Sequence, residues 1–99
     1  MAKKKTEAVK TLADVSEEKA FWCYGGEVFK NLQELAAALE RMSEEAFRHH
    51  VTEHKNDFSN WVRDVFGDTT LANQLRKATT KSSAASKAKA RINWLKDRT

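Results

Sequence analysis

Two different rhythms of apolar and polar positions run along this chain. The first is short and β-like. In "FWCYGGEVFKN", residues 21–31, aromatic and β-branched residues crowd on either side of Gly25-Gly26. Paired glycines supply the positive φ angles that a two-residue I′ or II′ hairpin loop requires, so two short strands are predicted. Such a loop pairs Cys23 with Val28 and Trp22 with Phe29. A lone hairpin is marginal in water, so this one must lie on helices.

The second rhythm is helical. Leu32, Leu35, Ala36 and Leu39 form one stripe behind Asn31, a good N-cap. Ser43 caps "EEAFRHHV", with Glu44 and Glu45 at the positive end of the helix. Asn56 or Asp57 opens a segment whose stripe is Phe58, Trp61, Val62 and Val65, and Gly67 closes it. Asp68 then caps a helix through Leu71 and Leu75. "TTKSSAASKAKA", residues 79–90, has no large apolar residue and is the weakest stretch. After it, Ala88, Ile92 and Leu95 recur at helical spacing with Trp94 beside them. The expected fold class is mainly α (α+β), with four to five short helices and one N-terminal β-hairpin. Residues 1–19, rich in Lys, Glu, Ala and Thr without sustained periodicity, read as a flexible leader. Residues 20–78 form the helical core domain with the hairpin. Residues 79–99 form a basic C-terminal segment, helical from about residue 83.

Length and composition limit the function classes. Ninety-nine residues suit one small domain. No apolar run approaches the ~20 residues that span a bilayer, and the basic start "MAKKK" is not followed by the apolar stretch of a secretory signal. A lone cysteine, Cys23, excludes an internal disulfide framework and fits a reducing cytoplasm. The net charge of +4 is unevenly spread. Residues 21–70 hold five basic and nine acidic residues, whereas residues 71–99 hold eight basic residues against Asp97 alone. A basic end on an acidic middle points to an anionic partner, or to the segment folding back on its own body.

The most specific chemical spelling is His50-Val-Thr-Glu53-His54. On a continuous helix two histidines four apart face the same side, where they can clamp one zinc while the glutamate activates its water. A catalytic site needs a third ligand, and the downstream acids Asp57, Asp64, Asp68 and Asp97 are too near or too exposed to supply it. The competing reading is structural. Phe47, His50, Val51 and His54 share a stripe, so His50 faces the core and bonds to Asn56 or Asp57 at the next helix start. On that reading it braces a corner together with Asn56, Asp57 and Trp61. Cys23 has the chemistry of a nucleophile but the setting of a small buried apolar residue. Gly25-Gly26 lacks the G-x-x-x-x-G-K-[ST] or G-x-G-x-x-G spelling of a phosphate loop, and no cofactor is expected. Trp22, Tyr24 and Phe29 can form an aromatic face for a partner. Lys81, Lys87, Lys89, Arg91, Lys96 and Arg98 can neutralise phosphates without reading bases.

Residues 21–78 also resemble a small prokaryotic, mostly archaeal, domain-of-unknown-function family. The shared motifs are "NLxEL" at Asn31 to Leu35, "FxxHV" at Phe47 to Val51 and "NDFxxWxxDVFGDxxLA" from Asn56 onward. The resemblance implies a shared structural role for His50, Asn56, Asp57 and Trp61 and supplies no activity. The C-terminal Ser/Ala/Lys stretch and the lysine-bearing start depart from that pattern. The expected function is therefore a non-catalytic interaction module, binding nucleic acid with low specificity or another anionic partner through its basic segment. The alternative is a protein–protein adaptor docking through the hairpin aromatics. A metal site at His50, Glu53 and His54 comes third. No membrane partner is expected.

Overall fold

The structure, a computed structural model, describes residues 8–99. Residues 8–12 are helical (α1), and Glu17–Lys19 make one 3-10 turn. Strands β1 (Phe21–Trp22) and β2 (Val28–Phe29) pair antiparallel. Five helices follow: α2 (Leu32–Arg41), α3 (Glu44–His50), α4 (Asp57–Trp61), α5 (Thr69–Lys77) and α6 (Lys81–Lys96). A π-helical turn, Val62–Phe66, continues α4. The chain is mainly α with one small hairpin near its N-terminal end.

Side chains close the helix starts. Asn31, Ser43, Asn56, Asp68 and Thr80 each accept the backbone N–H of the residue three further on. Each such cap satisfies a donor the helix cannot, and is worth about 1 kcal/mol. Gly67 stops the π turn at φ 69°, a left-handed conformation that glycine reaches without a Cβ clash.

The hairpin differs from the expected register by one residue. Phe21 pairs with Phe29 and Trp22 with Val28. The loop carries three residues, Tyr24, Gly25 and Gly26, because the Cys23 N–H donates to the Glu27 carbonyl and the Gly26 N–H to the Cys23 carbonyl. A one-residue slip exchanges the two faces of a strand. Here it sends Phe21 and Phe29 together into the core, their rings stacked at 5.0 Å, and turns Trp22 outward. Phe21 also meets Phe58 at 5.0 Å and Trp61 at 5.6 Å, so the hairpin rests on α4 through aromatic contacts.

The principal helix pair is α2 with α6. Leu32, Leu35 and Leu39 of α2 and Ala84, Ala85, Ala88, Ile92 and Leu95 of α6 are all buried in one shared core. Small side chains let the two backbones approach, so the stretch that lacked large apolar residues is a packing surface. α6 begins at Lys81, ahead of residue 83, because Thr80 caps it.

Part of the leader expected over residues 1–19 lies outside the described residues. From residue 8 onward it is attached to the body. Ala8 is buried, and Leu12 and Val15 pack on the core. The Val15 N–H donates to the Lys30 carbonyl at 2.8 Å, and Asn31 Nδ2 donates to Asp14 at 2.7 Å. Three apolar residues among lysines and threonines left too faint a stripe to read. Among the described residues no helix is long and apolar enough to cross a membrane.

Candidate functional site

His50 is the last residue of α3 and is 6% exposed. Its Nε2 accepts the backbone N–H of Tyr24 at 2.9 Å, and its Nδ1 lies 2.9 Å from Asp57 Oδ2. An amide N–H can only donate, so Nε2 must be bare and Nδ1 must carry the hydrogen that points at the carboxylate. One imidazole thus joins the hairpin loop, the end of α3 and the start of α4. Asp57 also receives Lys55 Nζ at 3.0 Å. Burial raises the Asp57 carboxyl, but the hydrogen bonds from His50 and Lys55 and the charge of Lys55 outweigh it and hold the group below its ordinary value. Asn56 turns elsewhere. It caps α4 and donates to the Leu75 carbonyl at 2.9 Å. Trp61 donates its indole N–H to the Lys19 carbonyl at 2.7 Å, tying α4 to the 3-10 turn. The four residues expected to be structural are therefore bonded across several separate junctions.

The zinc spelling does not form a helical clamp. α3 ends at His50, and residues 51–56 turn back through a Val51–Asn56 bridge. The Thr52 hydroxyl accepts the N–H groups of His54 and Lys55, both at 3.2 Å, which tightens the turn. Glu53 and His54 side chains stand 91% exposed, while both nitrogens of His50 are already bonded in the interior. The spacing of four was right for a clamp; the helix it needs stops at its first histidine. No cluster of three or more His, Cys, Asp or Glu among the described residues has metal-site geometry.

The six basic residues of the C-terminal segment have three fates. Lys81 Nζ donates to the Met42 carbonyl at 2.7 Å and anchors the start of α6. Lys89 pairs with Glu40 of α2, and Lys96 lies on that same side, beside Gln33 and Glu40. Lys87, Arg91 and Arg98 share the opposite shoulder of α6 around Trp94. Arg91 is bidentate, giving Nε to Asp68 Oδ2 at 2.8 Å and its second nitrogen to Oδ1 at 3.0 Å. Asp68 is 2% exposed in its side chain and simultaneously caps α5. The Arg91 and Arg98 guanidinium carbons sit 4.3 and 3.4 Å from the Trp94 ring centre. Lys81, Lys89 and Arg91 are therefore bonded to other elements of the body, while Lys87, Lys96 and Arg98 are exposed, as is Lys89 beside its partner.

The aromatic face is also smaller than expected. Trp22 is 71% and Tyr24 47% exposed, but Phe29 is buried at 1% and cannot meet a partner. Its loss follows from the shifted hairpin register. In its place His49 stacks on Tyr24 at 4.5 Å, and the Tyr24 hydroxyl donates to Glu45 at 3.3 Å. His49 carried no sequence signal beyond its neighbours. Trp94 did carry one, an aromatic between basic residues at helical spacing, although its position on the shoulder depends on the α5–α6 packing. Cys23 is buried, and burial foremost, then the Glu27 charge, raises its thiol above the ordinary range. A thiol so placed is a poor nucleophile.

The family model for a family of unknown function, DUF5752, matches residues 15–95. No curated protein and no solved structure matches the chain.

Proposed function

The chain belongs to DUF5752, a family of unknown function, and we propose from its own geometry that it is a non-catalytic cytoplasmic interaction module that holds nucleic acid on the outer shoulder of α6. The supporting observation is the cluster of Lys87, Arg91 and Arg98 around an exposed Trp94. The residues lining the clefts on either side of that indole include one carboxylate, Asp68, and it is buried and held by Arg91. A phosphate backbone approaching this shoulder meets Lys87 and Arg98 beside an Asp68 that Arg91 already neutralises. Nothing in the arrangement reads base edges, so recognition is weakly dependent on sequence.

The test is retention of mixed-sequence nucleic acid as salt is raised. Lys87→Glu with Arg98→Glu should abolish most binding and lower the slope of log affinity against log salt by about two. Arg91 is left in place because it braces Asp68. Unchanged binding in the double variant removes the proposal.

A second reading, docking of a protein partner on the hairpin, is favoured by one observation: Trp22 is 71% exposed beside Tyr24. It predicts that Trp22→Ser prevents recovery of a protein partner from nuclease-treated lysate without lowering stability.

A further inference from the structure

The shoulder of α6 combines charge with a flat aromatic surface, and that combination points to the form of the nucleic acid. We infer that the partner is single-stranded, held by one nucleobase stacked on Trp94 with flanking phosphates on Lys87 and Arg98. This rests on the reading of α6 as a nucleic-acid face.

Among the exposed large hydrophobic residues Val9, Trp22, Tyr24 and Trp94, Trp94 is the one set among arginines. It is 43% exposed and forms the ridge between two clefts. One cleft, of about 330 Å³, has Thr69, Thr70 and Arg98 in its lining; the other, of about 540 Å³, has Gln74 and Lys87. A strand crossing the ridge therefore finds hydroxyl, amide and cationic groups on both sides of the indole. Lys87, Arg91 and Trp94 follow one another at intervals of four and three residues on one stripe of α6, and Arg98 comes four residues later in the turn just past its end. Together the four run roughly 16 Å along the axis, the length of a few nucleotides.

Duplex and single strand make different use of such a surface. In a duplex the base faces are covered by their neighbours, and an indole on the shoulder of a helix meets only sugar and phosphate. In a single strand each base has a free face, and stacking on an aromatic ring adds to phosphate contact whatever the base. Arg98 lies over the ring and donates to the Trp94 carbonyl at 3.0 Å. An exposed cation–π contact is weak, so an incoming base displaces the guanidinium, which turns to the adjacent phosphate. Arg91 stays, because Asp68 holds it. The exposed hairpin aromatics offer no comparable site: Tyr24 is bonded to Glu45, a carboxylate that repels phosphate.

The experiment compares the full chain on a mixed-sequence DNA strand of about 12 nucleotides, on the RNA of the same sequence and on the DNA duplex. Either single strand should bind more tightly than the duplex. Trp94→Leu, which keeps apolar contact but removes the aromatic plane, should weaken single-strand binding about tenfold and leave duplex binding unchanged. Trp94→Phe should retain most of the affinity. If Trp94→Leu binds single strands as the parent does while Lys87→Glu with Arg98→Glu still abolishes binding, the stacking inference fails and the nucleic-acid reading survives. Duplex binding as tight as single-strand binding also overturns the stacking inference alone. If the parent chain retains neither form, both fail.

Discussion

The ring of His50 accepts the backbone N–H of Tyr24 at 2.9 Å, joining residues 26 apart in the chain. The opposite nitrogen meets Asp57, so one side chain sets the angle between the hairpin loop and the α3–α4 corner. Phe21 and Phe58 rings lie 5.0 and 5.2 Å from it and cover the ring on the core side.

Replacing His50 with Ala should destabilise the fold by about 2–4 kcal/mol. The variant leaves the Tyr24 N–H and Asp57 without their partner and opens a void beside the stacked rings of Phe21 and Phe58. The denaturant midpoint should fall with little change in slope. A loss below about 1 kcal/mol would mean that the brace is dispensable.

Stability should depend on Asp57 at acid pH. Its carboxyl is held below the ordinary value in the folded chain. A depressed carboxyl contributes stability that is present above the unfolded value, about 3.9, and is lost as pH falls through the folded value. Unfolding midpoints of the parent should therefore drop below about pH 4, while those of Asp57→Asn should be lower at neutral pH and flatter across the same range. Parallel curves for the two proteins would contradict this.

The Asp68–Arg91 pair should be strongly coupled. Asp68 is almost fully covered, and Arg91 is 17% exposed in its side chain. Arg91→Met alone strands a buried carboxylate and should cost about 3–5 kcal/mol. Combining it with Asp68→Asn, which keeps an oxygen to cap α5, should cost less than the two single changes added together. A double-mutant cycle with no coupling energy would show that Asp68 acts only as a helix cap.

Cys23 should react slowly with iodoacetamide at neutral pH in the folded protein and at the rate of a free thiol in urea. Burial and the neighbouring Glu27 charge both keep the thiol protonated. Fast labelling without denaturant would place it in an open, reactive setting that its 8% exposure contradicts.

Local signals in the chain were legible where one residue acts on its own helix. Asn31, Ser43, Asn56 and Asp68 announce helix starts because a short polar side chain reaches the N–H three residues on wherever the helix lies. Gly67 announces a stop for a similarly local reason. The burial of His50 was readable from its stripe with Phe47, and Asp57 was within reach as its partner. The hairpin register was not readable, because loops of two and of three residues both accommodate Gly25-Gly26. The aromatic core under Phe21 and Phe29 chooses between them.

By itself the sequence determined the helical class, most of the helix boundaries and the concentration of positive charge after residue 70. All three follow from interactions spanning a few residues, which need no knowledge of what lies opposite. Only the tertiary structure decided which cations are bonded to the body, because Glu40, Met42 and Asp68 reach Lys89, Lys81 and Arg91 from other elements. It also decided that the histidine spelling is no clamp, since the chain turns at His50 to deliver that ring to Tyr24 and Asp57. Charge and spacing can be counted along a chain, whereas the partner that neutralises a charge is set by packing between segments distant in it.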